Sequence, residues 1–254
     1  MDQQELTVKQ FGSNAELYLA SEVHSKGVDL DQVVAVAQQR RSVRALDLGC
    51  GAGHVAYALA RGGAVRVVAY DPSSVMLNVV AEEALRRRHD ALETMVGAAE
   101  ELPFGDASFD LVVTRYSAHH WANVPRALEE CARVTASGGL LIVIDAIAPE
   151  MPLLDTSLQV IEFLRDASHV RNYRISEWCG MQKAAGFAES SVRTWKTSID
   201  FPSWIARIGT SPGRVAALQT VIPALPREAH DYFKITERLS FQFDTAWIES
   251  RKVG

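Results

Sequence analysis

Long apolar runs are missing from this chain: nowhere do about eighteen consecutive apolar residues occur, the length a membrane-spanning helix needs. The opening residues also lack a charged stretch leading into an apolar segment, so no secretory leader and no membrane span are expected. Cysteine is scarce, with three in 254 residues, at positions 50, 131 and 179, and no C-x-x-C pair. That excludes a disulfide framework and fits a reducing compartment, so the chain is expected to be cytoplasmic. An excess of positive charge is absent too. A net charge of -5 argues against the broad basic face that nucleic acid demands. The dense basic run Arg86-Arg87-Arg88-His89 ends a predicted helix, where cations complement the helix dipole. The pair His119-His120 lacks a third ligand at helical or strand spacing, so no metal is expected.

What is present suits one domain with insertions, or one domain plus a small cap. Residues 1–40 are polar with apolar stripes at helical spacing, including Phe11, Leu17, Tyr18, Val23, Leu30, Val33 and Ala37. From 43 to about 145, strand and helix signals alternate. Strands are expected at 43–48, 65–70, 93–96, 109–114 and 140–145. Helices are expected at 54–61, 74–88 and 123–134, the last closed by Ser137-Gly138-Gly139. Short continuous apolar strands alternating with helices imply an α/β fold around a parallel sheet buried on both faces. Ligands then belong at the carboxyl ends of the strands. Beyond Asp145 the rhythm breaks: a helical segment within 147–172, a helix at 176–185, a strand at 189–201, short helices in 202–238 and a final strand at 239–249.

Chemistry concentrates in Asp47-Leu48-Gly49-Cys50-Gly51-Ala52-Gly53-His54, where a strand runs into glycines at alternate positions and then a helix. Glycine supplies positive φ and lets a ligand approach bare backbone. Cys50 needs only to be small there. The next strand ends at Asp71, placed to accept hydrogen bonds from two ribose hydroxyls. The position three after Gly51 is His54, which breaks the dinucleotide pattern G-x-G-x-x-G, and a Gly-Lys-Ser/Thr ending for a phosphate loop is absent. A nicotinamide oxidoreductase is therefore disfavoured. A turn that binds nothing is the bland alternative.

The stretch resembles motif I of the class I S-adenosylmethionine (SAM) dependent methyltransferases. The segment Gly97-Ala98-Ala99-Glu100-Glu101-Leu102-Pro103-Phe104 is similar to the branch that includes the ubiquinone and menaquinone biosynthesis enzymes. That resemblance implies a doubly wound, mostly parallel seven-stranded, Rossmann-like sheet with helical insertions capping the site. It implies SAM as cofactor, with S-adenosylhomocysteine (SAH) as product, and a helical lid over residues 1–40. The SAM-binding core would run over 41–201 with a cap near 147–172, then a second cap over 202–238 and the last core strand over 239–254. Cofactor contacts are expected from Tyr18, Asp47, Gly49, Gly51, Gly53, Asp71, Pro72, Met76, Ala98, Ala99, Glu100 and Arg115. The branch usually carries an acid where this chain has Ala98, so the adenine contact is expected from backbone at 98–99 or from Glu100.

The fourth strand leads into Tyr116-Ser117-Ala118-His119-His120-Trp121, where sulfonium and acceptor should meet. His119 and His120 are candidate bases, one facing the pocket and the other packed, with His120 preferred. Acceptor contacts are expected from His24, Tyr116, His120, Trp121, Asp145, His169, Arg171 and Trp204. Core packing, turn capping and solvation are the bland readings of these same side chains. The expected acceptor is a small, aromatic or quinone-like molecule, handled by a monomer or homodimer. The alternative is a non-catalytic SAM or metabolite binder that keeps the fold.

Overall fold

The computed structural model describes residues 1–12, 27–40 and 43–253. Strands β1 (Arg44–Leu48), β2 (Arg66–Asp71), β3 (Leu92–Val96), β4 (Phe109–Arg115), β5 (Thr135–Ile147), β6 (Ser191–Ile199) and β7 (Phe241–Arg251) form a seven-stranded sheet in the order β3-β2-β1-β4-β5-β7-β6. β1 to β5 are mutually parallel, whereas β7 runs antiparallel to both β5 and β6. The helices are α1 (Gln3–Gly12), α2 (Val28–Gln39), α3 (His54–Arg61), α4 (Ser74–Arg87), α5 (Val124–Val134), α6 (Pro152–Arg165), α7 (Ile175–Ala184), α8 (Phe201–Arg207), α9 (Pro212–Val221) and α10 (Arg227–Phe233). Among the described residues, no helix is long and apolar enough to cross a membrane.

The strands are apolar along their whole length because both faces are covered. Leu46, Val112 and Val143 pack with Leu128 and Trp178 on one side. Ala45, Val113 and Ile142 pack with Val33, Leu59 and Trp247 on the other. A third cluster joins Leu158 and Ile161 of α6, Trp204 of α8, Leu218 of α9 and Phe233 of α10 to Phe241 and Phe243 of β7. This cap stands over the carboxyl end of β5. The chain winds outward from β1 in both directions, through β2 on one side and β4 on the other, so a crevice opens between their carboxyl ends.

Two expectations change. Ser137-Gly138-Gly139 does not close a helix: α5 ends at Val134, and Thr135 already pairs with Phe109. The three residues form an irregularity within β5, held by Arg40 and Arg251 donating to the Gly138 carbonyl at 3.1 and 2.8 Å. The helical lid expected over 1–40 also divides. α1 lies over the crevice, but α2 inserts Leu30, Val33 and Ala37 into the core beside α3. Residues 13–26, with Tyr18 and His24, lie outside the described residues.

Candidate active site

The crevice is walled first by the turn after β1. Gly49 and Gly51 have φ of 70° and 49°, conformations that glycine adopts without strain. A Cβ on Gly49 would fall 1.8 Å from Ser117 Oγ, whereas one on Gly51 would meet no protein atom within 4 Å. The first glycine thus lets two loops close together, and the second leaves its face open to the cavity. Asp47 Oδ2 accepts the Ala56 N–H at 2.8 Å, tying β1 to the first turn of α3. Burial pushes its carboxyl up to about 8. At the end of β2, Asp71 Oδ2 accepts the Gly51 N–H at 2.8 Å and Oδ1 accepts the Ser73 N–H at 2.9 Å. Burial pushes this carboxyl up to about 6, against the pull of those two N–H groups. Each oxygen keeps a further lone pair for a ligand hydroxyl.

Opposite lie the loop after β3 and the end of β4. Tyr116 follows the strand at φ 50°, in the left-handed region that bulky residues rarely occupy. Arg115 is buried in an ion pair with Asp29 of α2 at 2.5 Å. Trp121 Nε1 donates to Ser117 Oγ at 3.2 Å. α1 roofs the space: Gln3 Nε2 donates to the carbonyls of His120 and Ser168 at 3.1 and 2.6 Å, and Phe11 sets its edge against the His120 ring. The cleft beneath α1 has a volume of about 460 Å³ and is bordered by the turn, Asp71, Ala98, Ala99, Tyr116, Trp121 and α1.

The adjacent histidines sit on a turn of 3₁₀ helix, Ala118–His120, with their rings in contact, centroids 4.2 Å apart, but with their Nδ1 atoms turned to different partners. His120 borders the cavity, its Nδ1 3.1 Å from the Ser168 carbonyl. Burial, aided by His119, pushes its imidazole down to about 4. His119 turns toward β5, with Nδ1 2.7 Å from Asp145 Oδ1. Burial lowers its pKa, but Asp145 outweighs burial and holds the imidazole above its ordinary value. His119 borders a second, smaller recess of about 70 Å³, which shares Phe11, Tyr116 and His120 with the main cavity.

A family model described as a methyltransferase domain matches residues 46–143. The uncharacterized methyltransferase YcgJ of Bacillus subtilis is 37% identical over 226 residues, which cover 89% of each chain. The crystal structure of YcgJ superposes with a TM-score of 0.83 at 33% identity, covering 88% of this chain and 99% of that one. The ubiquinone/menaquinone biosynthesis C-methyltransferase UbiE of Rhizobium leguminosarum is 32% identical over 163 residues, covering 61% of this chain and 63% of that one. The chain belongs to the class I SAM-dependent methyltransferases.

The cavity of this methyltransferase fits SAM. The open face of Gly51 admits a ligand against backbone, and the spare lone pairs of Asp71 suit a ribose diol. Pro72, Met76, Ala98, Ala99, Glu100 and Arg115 also border the cavity. Several expected residues have other work. Gly53 packs against Tyr57 and Val80, within 3.0 Å of where its Cβ would sit. Glu100 Oε1 accepts the Asn123 N–H at 3.0 Å. Arg171 pairs with Asp155 at 2.9 Å and His169 Nε2 lies 3.0 Å from Gln159 Oε1; neither residue borders either cavity. Asp145 stands behind His119, and Trp204 lines the smaller recess. Residues missed from sequence include Gln3, Phe11, Ser117, Glu162 and Asn172. Asn172 falls in the polar group 168–173, and Glu162 stands as an acid among Ile161, Phe163 and Leu164, the signals that could have marked them.

Proposed function

We propose that this SAM-dependent methyltransferase acts on a small, flat, mostly apolar acceptor of aromatic or quinone-like kind, with α1 serving as the lid. The observation that carries the reading is the roofed cavity of about 460 Å³, within the usual range for small-molecule sites. Phe11, Tyr116 and Trp121 give it aromatic walls suited to a flat body. The relative named for ubiquinone and menaquinone biosynthesis supports the same acceptor class. Cofactor contacts fall to Gly49, Gly51, Asp71 and the backbone at 98–99. When bound, SAM supplies a methyl carbon already activated by its sulfonium. The protein's part is then to align the acceptor and exclude water.

The test is incubation of the purified protein with SAM and a panel of phenols, hydroquinones, small amines, a protein extract and nucleic acid, with products read by mass spectrometry. Methylated phenols or hydroquinones are expected. Methyl groups found only on protein or nucleic acid, or only on the amines, would overturn the acceptor class.

A further inference from the structure

α6 carries its polarity inverted. Of its three charged side chains, Asp155 and Glu162 are buried, and Arg165 is half-buried with Nε donating to the Trp204 carbonyl at 3.2 Å. The residues it exposes are Pro152, Leu153, Thr156, Val160 and Phe163, none of them charged. Helices flanking the sheet do the reverse: α4 exposes Glu82, Arg86 and Arg87, and α5 exposes Arg126 and Glu129. Leu153, Val160 and Phe163 are 42%, 38% and 51% exposed, while Leu154, Leu158 and Ile161 fill the cap on the inner side. A helix apolar on both faces is normally enclosed on both. The adjoining α9, whose Arg214 lies 5.2 Å from the Phe163 ring centre, exposes Pro212, Gly213, Ala216, Gln219 and Thr220, and again no charge.

The spacing selects what covers this face. Leu153, Thr156, Val160 and Phe163 fall at i, i+3, i+7 and i+10, the step that keeps a packing seam along one side of a helix. The series reads the same from either end. A two-fold axis level with Leu158 therefore lays α6 antiparallel on its own copy, with Leu153 opposite Phe163 and Thr156 opposite Val160. Parallel pairing would instead stack Phe163 on Phe163 and Thr156 on Thr156. Charge favours the antiparallel arrangement as well. Among the described residues, Glu150 just before α6 and Arg214 beside its far end form no ion pair. Antiparallel pairing brings the Glu150 end of one copy to the Arg214 end of the other, whereas parallel pairing gathers like charges. A membrane suits the face less, since anionic lipid repels a chain of net charge -5.

We propose that the exposed face of α6, flanked by α9, is the surface through which two copies of this chain pair antiparallel about a two-fold axis. Leu153, Thr156, Val160 and Phe163 border neither cavity, so each copy keeps a complete site. The inference is thus independent of the acceptor proposed above. At 14 residues, α6 is about 21 Å long. A seam of that length with α9 beside it stands at the low end of specific interfaces, so the dimer should separate on dilution.

The experiment is sedimentation equilibrium of the full chain over concentrations from about 1 to 100 µM, the range a small interface calls for. The mass should rise from that of one chain toward that of two. Phe163→Glu and Val160→Glu each put a charge into the seam and should weaken association at least about tenfold. Unchanged SAH affinity in both variants, read by calorimetry, shows that they are folded. Register is read by cross-linking in a Cys179→Ser background: a mixture of Thr156→Cys and Val160→Cys chains should link to one another in preference to like with like. A chain that stays monomeric throughout overturns the inference. So does a dimer that neither glutamate weakens, or preferential linking of like variants. Binding to phosphatidylcholine vesicles that Phe163→Glu abolishes, without self-association, would assign the face to a membrane and overturn the inference equally.

Discussion

The two chambers of this site are built in opposite ways. The cofactor cavity is made of backbone: glycines at φ 70° and 49°, N–H groups gathered on Asp71 and strand ends that the sheet places side by side. The recess is made of side chains brought from β5, α6, the loop after it and α8, with His119 oriented by Asp145 and the Asn172 backbone pinned by Gln159. Backbone chambers follow from topology and tolerate little change, because a Cβ in the wrong place clashes or strains. Side-chain chambers leave the sheet untouched when they change. A scaffold with one of each keeps its cofactor while its acceptor varies.

Asp71→Ala should break the cofactor side most. It removes the acceptors for a ribose diol and also frees the Gly51 and Ser73 N–H groups, costing about 1.5–3 kcal/mol of SAH affinity, roughly ten- to hundredfold. Calorimetry checks the loss, and the His119 titration should stay as in the wild type; an altered titration would show that the chambers are not separate. A smaller effect is expected from pH. The Asp71 carboxyl is raised to about 6 from an ordinary 3.8, so SAH affinity should rise as pH climbs through 6 and level off above it, because the ionised form is the better acceptor. The same shift sets a stability sign. Between 3.8 and about 6 the folded chain holds a proton that the unfolded chain has lost, so this group's contribution to stability falls as pH rises through that window. Binding measured in Asp71→Asn should lose the pH dependence. The smallest effect belongs to Ala98→Asp, which places an acceptor where the resemblance described above implies an acid. SAH should tighten about two- to tenfold, the net worth of one hydrogen bond of about 0.5–1.5 kcal/mol. A sharp loss would mean that Ala98 is there for clearance.

The cofactor chamber was legible in the sequence because its signals are local. The alternate glycines, the acid at Asp71 and the apolar strand runs each report a backbone requirement within a few residues, and the strands begin and end close to where the pattern places them. The long β5 was less legible, since pairing of Thr135 with Phe109 is a tertiary fact that no turn signal in Ser137-Gly138-Gly139 discloses. The recess was hardly legible. Adjacency made His119 and His120 look equivalent, and only the 3₁₀ turn and the position of Asp145 separate them. Arg171 looked like a pocket residue because it falls in the polar group 168–173 of the first cap, but its charge is met by Asp155 and Glu177. Neighbours in sequence around an irregular loop need not share a direction.

Gln3 has a consequence for the order of events during turnover. Its single amide nitrogen has two hydrogens, and both are spent across the chambers' dividing wall, on the carbonyls of His120 and Ser168. The Ser168 carbonyl is also the one that faces His120 Nδ1. Were α1 to lift as the proposed lid, the clamp on both carbonyls and the Phe11 ring bordering the recess would leave together. The two chambers share Phe11, Tyr116 and His120 in their walls and the same α1 clamp, so a displacement of α1 would open both at once.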